Sequence, residues 1–261
     1  MALRKLLSAA ACAALLASAA QAATIVNYDL TGLPGSGTPP VSAAATTVIA
    51  GLTSADPVTR GAGTVATVLA NGFSSNDWTL VSSEAIALAS DDYFQFGFDV
   101  DATHSVSISS FDVNLRRSAA ASPDRYVLYA SLDDFATPPT AGSGIASWQY
   151  LSRNSGTAPG TVTPFQWMTT DTPGQANGNP ISTQDLSGVA FLQNIAPGTS
   201  VTFRVYAYGA ISGSAASNTV AFGRVQGPKL SGEIVEVPEP ATVMLLGCMA
   251  MVGLAVARRR S

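Results

Sequence analysis

Several short stretches of the chain alternate between hydrophobic residues and polar or small ones. Side chains on a β-strand point to opposite faces in turn, so a period of two is typical of a strand with one buried face. In the clearest stretch, Phe94, Phe96 and Phe98 are separated by Gln95 and Gly97. This alternation predicts strands at residues 93–100, 111–116 and 201–208.

The second of these strands continues an apolar pattern that begins upstream in the opposite phase. Val106 and Ile108 share one parity, and Phe111 has the other. A β-bulge adds one residue to a strand and thereby shifts the phase of its side chains. We therefore predict a bulge at Ser109-Ser110 that brings both sets of apolar residues to the same face.

Turn-forming residues separate further apolar runs, which predict strands at 24–30, 125–132, 189–195, 218–225 and 229–236. Pro197-Gly198 suits the centre of a type II turn joining two of them. The runs at 46–49 and 64–69 are either edge strands or low-complexity loop, and residues 23–75 are expected to be the more loosely ordered part. Many short strands without helical periodicity predict an all-β fold, a two-layer antiparallel β-sandwich.

The N-terminal end departs from this pattern. Arg4 and Lys5 precede an apolar run that ends in Ala20-Gln21-Ala22, which is the order of a secretory signal peptide with its small-x-small cleavage site. We predict cleavage after Ala22 by signal peptidase and export by the general secretory machinery. The chain thus divides into a signal peptide at 1–22, an exported domain at 23–236 and a C-terminal segment at 237–261.

The C-terminal segment has three parts in a fixed order. Pro238, Glu239 and Pro240 come first, followed by an apolar run at 241–257 and then by Arg258, Arg259 and Arg260. A transmembrane helix over this run would cover about 25 Å, a short span for a bilayer core of about 30 Å. The terminal arginines predict a cytoplasmic end, which leaves the domain outside the cytoplasm.

These residues resemble the PEP-CTERM sorting signal, in which a Pro-Glu-Pro motif, a short transmembrane helix and an arginine cluster end the chain. The resemblance implies processing near the motif by an exosortase, a membrane cysteine protease of Gram-negative bacteria that make exopolysaccharide. It also implies an inner-membrane intermediate and delivery to the cell surface or the extracellular biofilm matrix. The stretches at 111–118, 126–135 and 201–208 further resemble exported PEP-CTERM proteins with a jelly-roll-like domain.

Composition narrows the range of partners. Charged residues make up only 11% of the chain, and eight basic and 17 acidic residues lie between the terminal basic clusters, a net charge of −9. Negative surfaces repel phosphate backbones, so nucleic acid is not an expected partner. Cys12 and Cys248 both fall in the apolar end segments, so the exported domain has no disulfide and no thiolate metal site.

Residue types suited to catalysis or metal binding are sparse. His104 is the only histidine, and no Gly-x-Ser-x-Gly motif accompanies it, so we predict no catalytic residue and no enzyme. Carboxylate pairs near strand ends are candidate calcium ligands, because Ca²⁺ takes six to eight oxygens, many of them from such loops. The candidates are Asp91, Asp92, Asp99 and Asp101. A structural calcium ion is left open, and no other cofactor is expected.

The strand at 201–208 offers a candidate binding surface. Arg204, Tyr206 and Tyr208 share its polar face, where an outward Tyr-x-Tyr pair would stack on neighbouring sugar units, and Arg116 is a further candidate contact. Alternatively, a second layer or a loop covers this face. The sequence therefore predicts a non-enzymatic structural or neutral-polysaccharide-binding protein. A secreted carbohydrate-active enzyme on a jelly-roll scaffold and a calcium-dependent adhesin are the alternatives.

Overall fold

The computed structural model describes residues 22–78, 83–119, 122–150, 177–209, 219–223 and 226–238, and the backbone of residues 165–168. A helix, α1, spans Glu84–Ala89, and a 3-10 helix spans Ala190–Leu192. The strands within these residues are β1 (Ala23–Asn27), β2 (Thr47–Val48), β3 (Leu52–Arg60), β4 (Val65–Thr67), β5 (Phe73–Asn76), β6 (Tyr93–Val100), β7 (His104–Asp112), β8 (Asn114–Arg117), β9 (Arg125–Ser131), β10 (Ala146–Tyr150), β11 (Phe165–Met168), β12 (Asn179–Pro180), β13 (Gln184–Asp185), β14 (Ser200–Tyr208), β15 (Val220–Phe222) and β16 (Lys229–Glu236).

These strands form three sheets that pack as two layers. The first layer is a six-stranded sheet with the order β11-β10-β9-β14-β6-β3. The second layer consists of two five-stranded sheets, β13-β7-β16-β1-β2 and β12-β8-β15-β5-β4, which meet at Val113 between β7 and β8. The described strand pairs are antiparallel, apart from the parallel pair of β10 and β11. The fold is therefore all-β, as the alternation predicts, and it is compatible with a jelly-roll-like sandwich.

Phenylalanine rings fill the space between the two layers. The ring centroid of Phe96 on β6 lies 5.4 Å from that of Phe203 on β14 and 5.9 Å from that of Phe111 in the opposite layer. Phe222 on β15 contacts Phe96 at 6.4 Å, so both sheets of the second layer pack on the first. The remaining predicted core residues are buried too, namely Phe98, Val113, Leu115 and Val205.

The predicted bulge lies at Ser109. In the register of β16 with β7, Ser231 pairs with Ser110 and Gly232 pairs with Ile108, so Ser109 is skipped. Val106, Ile108 and Phe111 are consequently all buried on the same face. The phase change in the sequence is thus a true structural feature, because one extra residue turns the later side chains toward the core.

Several parts of the secondary structure differ from the prediction. The runs at 46–49 and 64–69 do form the edge strands β2 and β4, but the sequence does not predict α1 or the strands β3, β5, β10, β11, β12 and β13. Residues 189–195 form a 3-10 helix and an isolated bridge rather than a strand. Gln193 takes the place of a strand at this point. Its side-chain Nε2 donates to the carbonyl of Ile108 at 2.8 Å, a hydrogen bond that a backbone N–H of a neighbouring strand would otherwise donate.

Candidate functional site

The predicted tyrosine platform on β14 does face outward, but it is not exposed. Tyr206 is 1% exposed and Tyr208 is 3% exposed, so the prediction of an open stacking surface is wrong. A second hydrophobic cluster lies on this side of the sheet, formed by Ala87, Val127, Tyr129, Phe135, Tyr206 and Tyr208. Helix α1 and the loop after β9 contribute to it, and they cover the face as the alternative interpretation anticipates.

A hydrogen-bond junction holds this cover in place. Tyr129 on β9 donates its hydroxyl hydrogen to Glu84, the first residue of α1, and the backbone N–H of Gly142 donates to the same carboxylate at 3.1 Å. Burial, and then the hydrogen bond to Glu84, raise the pKa of Tyr129. One carboxylate thus joins the helix, the sheet and the loop.

Arg204 is held between two aromatic rings. Its guanidinium carbon lies 4.2 Å from the ring centroid of Tyr93 and 4.2 Å from that of Phe135, and its Nε donates to Oε1 of Gln95 at 2.8 Å. A cation between two ring faces is attracted to both. The side chain is half-buried, so it forms part of the wall between the covered cluster and solvent.

A cleft of about 500 Å³ opens between α1 and residues 135–141, and we call it the α1 cleft. Arg204 and Tyr206 line it, together with apolar side chains and one carboxylate, that of Asp91. Two of the predicted binding residues therefore share a concave site. The apolar part of the lining includes Ala85, Leu88, Phe135, Pro138 and Pro139.

Arg116 does not belong to this site. It lies on β8, which pairs with β15 in the second layer, whereas Arg204 lies on β14 in the first layer. Arg116 flanks the buried Leu115 and Arg117, so by the alternation of a strand it points away from the core on the other side of the sandwich. The prediction that Arg116 contacts the same ligand as Arg204 is wrong, because sequence alternation does not say which layer a strand joins.

The four candidate calcium ligands fall into two separate pairs. Asp91 and Asp92 precede β6, and Asp99 and Asp101 lie at its other end, so about 23 Å of strand separates Asp92 from Asp99. Asp99 accepts hydrogen bonds from the hydroxyls of Ser54 and Ser200, each at 2.5 Å. Within the described part of the chain, no three His, Cys, Asp or Glu side chains are placed to hold a metal ion.

A cluster of three carboxylates, which the sequence does not predict, lies on the outer face of the first layer and consists of Asp56, Asp99 and Asp134. Asp56 on β3 is opposite Gly97, and Asp134 accepts a hydrogen bond from Thr202 at 3.1 Å. Burial raises the pKa of Asp56, and the charges of Asp99 and Asp134 raise it further. These residues come from distant parts of the sequence, and only the strand register brings them together.

His104 begins β7 and interacts with Asp101. Its Nδ1 lies 2.8 Å from Oδ1 of Asp101 and 3.0 Å from the hydroxyl of Thr103. The hydrogen bond from His104 is the largest cause that lowers the pKa of Asp101. A catalytic triad uses one ring nitrogen for the carboxylate and the other for the nucleophile. In this structure Asp101 and Thr103 both contact Nδ1 of His104, so these three residues do not have the geometry of a triad.

Three large aromatic residues outside the tyrosine platform are buried inside the fold. Trp148 and Tyr150 lie in β10 and are fully buried, and Trp78 is 1% exposed. Tyr150 donates its hydroxyl hydrogen to the carbonyl of Leu115 at 3.1 Å, a bond between the two layers. These rings belong to the core of the sandwich, so they are not available to a ligand on its surface.

The two ends of the exported domain lie side by side in the second layer. β1 begins at Ala23, whose partner on β16 is Gly232. β16 continues to Glu236, and the N–H of Val237 then donates to the carbonyl of Thr103 at 2.7 Å. The predicted signal-peptidase bond after Ala22 is thus directly before the first strand, and the predicted sorting motif is directly after the last. Of the predicted end residues, Ala20, Glu239, Pro240, Arg258, Arg259 and Arg260 lie outside the described residues.

Residues 236–260 match a protein family described as the PEP-CTERM protein-sorting motif. The chain carries the PEP-CTERM sorting motif. No curated protein and no solved structure shows significant similarity to it. None of the helices in the described part of the chain has the length and apolarity needed to span a bilayer, and the predicted transmembrane run at 241–257 lies beyond that part. The motif implies that the protein is exported and processed by an exosortase. It also implies a location at the cell surface or outside the cell.

Proposed function

We propose that the exported domain is a non-enzymatic component of the polysaccharide layer of a Gram-negative bacterium, and that it binds neutral polysaccharide in the α1 cleft. The sorting motif supports the destination. The observation that carries the binding proposal is the cleft itself, whose lining combines the charged groups of Arg204 and Asp91 with apolar side chains.

The size and lining of the α1 cleft suit a short stretch of sugar units. Small-molecule sites are concave, measure about 300–1,000 Å³ and combine apolar walls with a few placed polar groups. Phe135 and Pro138 supply apolar surface for the faces of sugar rings, and the polar groups of Arg204 and Asp91 suit sugar hydroxyls. A net charge of −9 between the terminal basic clusters disfavours strongly anionic polymers, which leaves neutral glycans as the expected class.

The test fills the cleft without altering the core. Ala85 lies on α1, is exposed and lines the cleft, so Ala85→Trp should occupy the space of a sugar ring. Ile86 is 44% exposed on the same helix and does not line the cleft, so Ile86→Trp is the matched control. Both variants should keep the melting temperature of the wild type.

Calorimetry of the processed protein with a panel of neutral glycans decides the outcome. We expect the wild type and Ile86→Trp to bind, and Ala85→Trp to lose at least tenfold in affinity. Equal binding by all three proteins would place the ligand elsewhere. If the wild type binds no glycan on the panel, the polysaccharide-binding role is refuted, while the export assignment is unaffected.

A further inference from the structure

We propose that the domain cuts its own backbone between Asp56 and Pro57 in mild acid. In this reaction the side-chain carboxyl of Asp56 is the nucleophile, and the hydroxyl of Tyr28 stabilises the carbonyl oxygen under attack. Asp56-Pro57 is the only Asp-Pro pair in the chain, and it lies within β3 at the edge of the first layer. Each molecule reacts once and needs no ligand, so the proposal is independent of glycan binding in the α1 cleft.

The Asp-Pro pair joins a nucleophile to a reactive amide. A carboxyl oxygen of Asp56 can attack the carbonyl carbon of the same residue and close a five-membered ring, and such an intramolecular attack avoids the entropy cost of bringing two reactants together. The nitrogen of Pro57 belongs to a tertiary amide and has no hydrogen, so no ladder hydrogen bond holds it. It leaves as a secondary amine, which takes up a proton readily. The bond after Asp56 is therefore more labile than an ordinary peptide bond.

The backbone around this bond is irregular and open to water. In the register of β3 with β6, Pro57 and Val58 lie opposite the single residue Phe96, which is a β-bulge. Pro57 is exposed and Asp56 is half-buried. The bond therefore lies where the ladder is interrupted and where water reaches the products of a cut.

The carbonyl group under attack accepts a hydrogen bond from the core. The hydroxyl of Tyr28 donates to the carbonyl oxygen of Asp56 at 2.6 Å, and the carbonyl oxygen of Gly97 is its second acceptor at 3.1 Å. Tyr28 is 1% exposed and its ring packs edge-on against Phe96, so the hydroxyl is held in place. Burial raises the pKa of Tyr28, so the hydroxyl keeps its hydrogen. A fixed donor at this oxygen stabilises the negative charge of a tetrahedral intermediate.

The surroundings of the Asp56 carboxyl favour its protonated form. The titratable groups that face it are Asp99 on β6, Asp134 in the turn after β9, and Tyr28. Gly97 leaves room for the carboxyl, because a Cβ at that position would lie 2.8 Å from Oδ2 of Asp56. Burial raises the pKa of Asp56, and the charges of Asp99 and Asp134 raise it further. The protonated carboxyl therefore persists to a higher pH in the folded domain than in an unfolded chain.

The reaction has two balanced steps, with water as the second reactant. First, the carboxyl oxygen of Asp56 bonds to the carbonyl carbon of Asp56, the C–N bond to Pro57 breaks, and the carboxyl proton passes to the nitrogen of Pro57. The first product is a cyclic anhydride at Asp56 and a free secondary amine at Pro57. Water then adds to the anhydride and opens it, which leaves a C-terminal Asp56 with two carboxyl groups.

The cut leaves the sandwich assembled. Ala43, before the cut, and Val58, after it, exchange two backbone hydrogen bonds at 2.7 and 3.0 Å. The first piece also keeps β1, which remains paired with β16 of the second piece. The expected product is therefore one folded domain made of two chains.

The experiment incubates the processed protein at about pH 5, above the pKa of about 3.9 of an unfolded aspartate, and follows the two pieces by mass spectrometry after denaturation. The fluorescence of the buried Trp78 and Trp148 checks that the domain stays folded. We expect one piece to end at Asp56 and the other to begin at Pro57. The folded protein should be cut at least about tenfold faster than the same protein unfolded in urea at the same pH.

Three variants test the assigned roles. Asp56→Ala should abolish the cut. Tyr28→Phe should slow it by about 100-fold, whereas Tyr126→Phe, at a buried tyrosine that donates to the carbonyl of Pro123, should not slow it. Asp134→Asn removes one of the charges that raise the pKa of Asp56, so it should shift the pH profile of the cut to lower pH.

Four outcomes would overturn the proposal. They are an uncut wild type at about pH 5, a cut that survives Asp56→Ala, equal rates in the folded and unfolded protein, and an unchanged rate in Tyr28→Phe. Equal rates would reduce the cut to the ordinary lability of an Asp-Pro bond. Separation of the two pieces before denaturation would overturn the assembled product.

Discussion

Phe203 belongs to the buried core, beside the Phe96 ring that contacts the opposite layer, and its removal is a direct test of that core. The side chain is fully buried on β14. Its ring stacks on that of Phe96 with centroids 5.4 Å apart and an angle of 10°, and it lies 6.5 Å from Phe98. Phe203→Ala would therefore leave a cavity beside the ring that also contacts the opposite layer.

The size of the effect follows from these contacts. Replacing a buried phenylalanine with alanine lowers the free energy of unfolding by about 3–5 kcal/mol, because transfer to water and the remaining cavity both contribute. Each aromatic pair adds about 0.5–1.5 kcal/mol, and Phe203 has two ring neighbours, so we expect the upper half of that range. For a domain of this size the melting temperature should fall by about 8–20 °C.

Urea unfolding of the processed domain, followed by the fluorescence of the buried Trp78 and Trp148, measures this loss as a lower midpoint at an unchanged slope. Phe191→Ala is the control, since Phe191 is 43% exposed and the same chemical change there should stay within about 0.5 kcal/mol. A loss at Phe203 no larger than the loss at Phe191 would refute the packing of the two layers.

Three other features predict measurable effects. Asp56→Asn should raise the melting temperature at pH 7. Burial raises the pKa of Asp56 in the folded state above its unfolded value of about 3.9, so ionisation of this carboxyl destabilises the fold. The stability that its protonated form contributes is present below the unfolded pKa and is lost as the pH rises through the folded pKa. The gain in melting temperature of the variant should therefore vanish in acid. Gly198→Ala should lose about 1 kcal/mol in unfolding free energy because Gly198 has a φ of +73°, while Gly188→Ala, equally free of close neighbours, should not. By thermal melting, an exported domain that ends at Gly232 should melt at a lower temperature than one that ends at Pro238, because the shorter chain lacks half of β16.

Local alternation was enough to predict β6, β14 and the bulge in β7. The pattern around Phe94 and Phe96 identifies β6, and the phase change before Phe111 identifies the skipped residue at Ser109. The turn at Pro197-Gly198 is also confirmed, because the N–H of Thr199 donates to the carbonyl of Ala196 at 3.3 Å and Gly198 has a positive φ. Each of these features depends on neighbours within a few residues, which a sequence displays directly.

The covered tyrosine face shows where that reasoning stops. Alternation correctly places Tyr206 and Tyr208 on the outer side of β14, but burial depends on what lies above them. The cover comes from α1, which has only six residues and no side-chain hydrogen bond at its N-cap Ser83. So short a helix gives little periodic signal, and its position depends on the contact of Glu84 with Tyr129, 45 residues away. The same limit applies to Asp56, which strand register alone brings toward Asp99.

The position of β16 links the completion of the fold to the C-terminal end of the domain. β16 is the last strand in the sequence, yet it lies inside its sheet, between β7 and β1. An unpaired strand edge exposes backbone groups that attract other chains, so β7 and β1 each keep such an edge until β16 is in place. The second layer therefore cannot close until β16, the last strand in the sequence, has paired with both of them. The residues that match the sorting motif begin at Glu236, the last residue of β16, so the strand that completes this sheet and the motif follow each other directly in the chain.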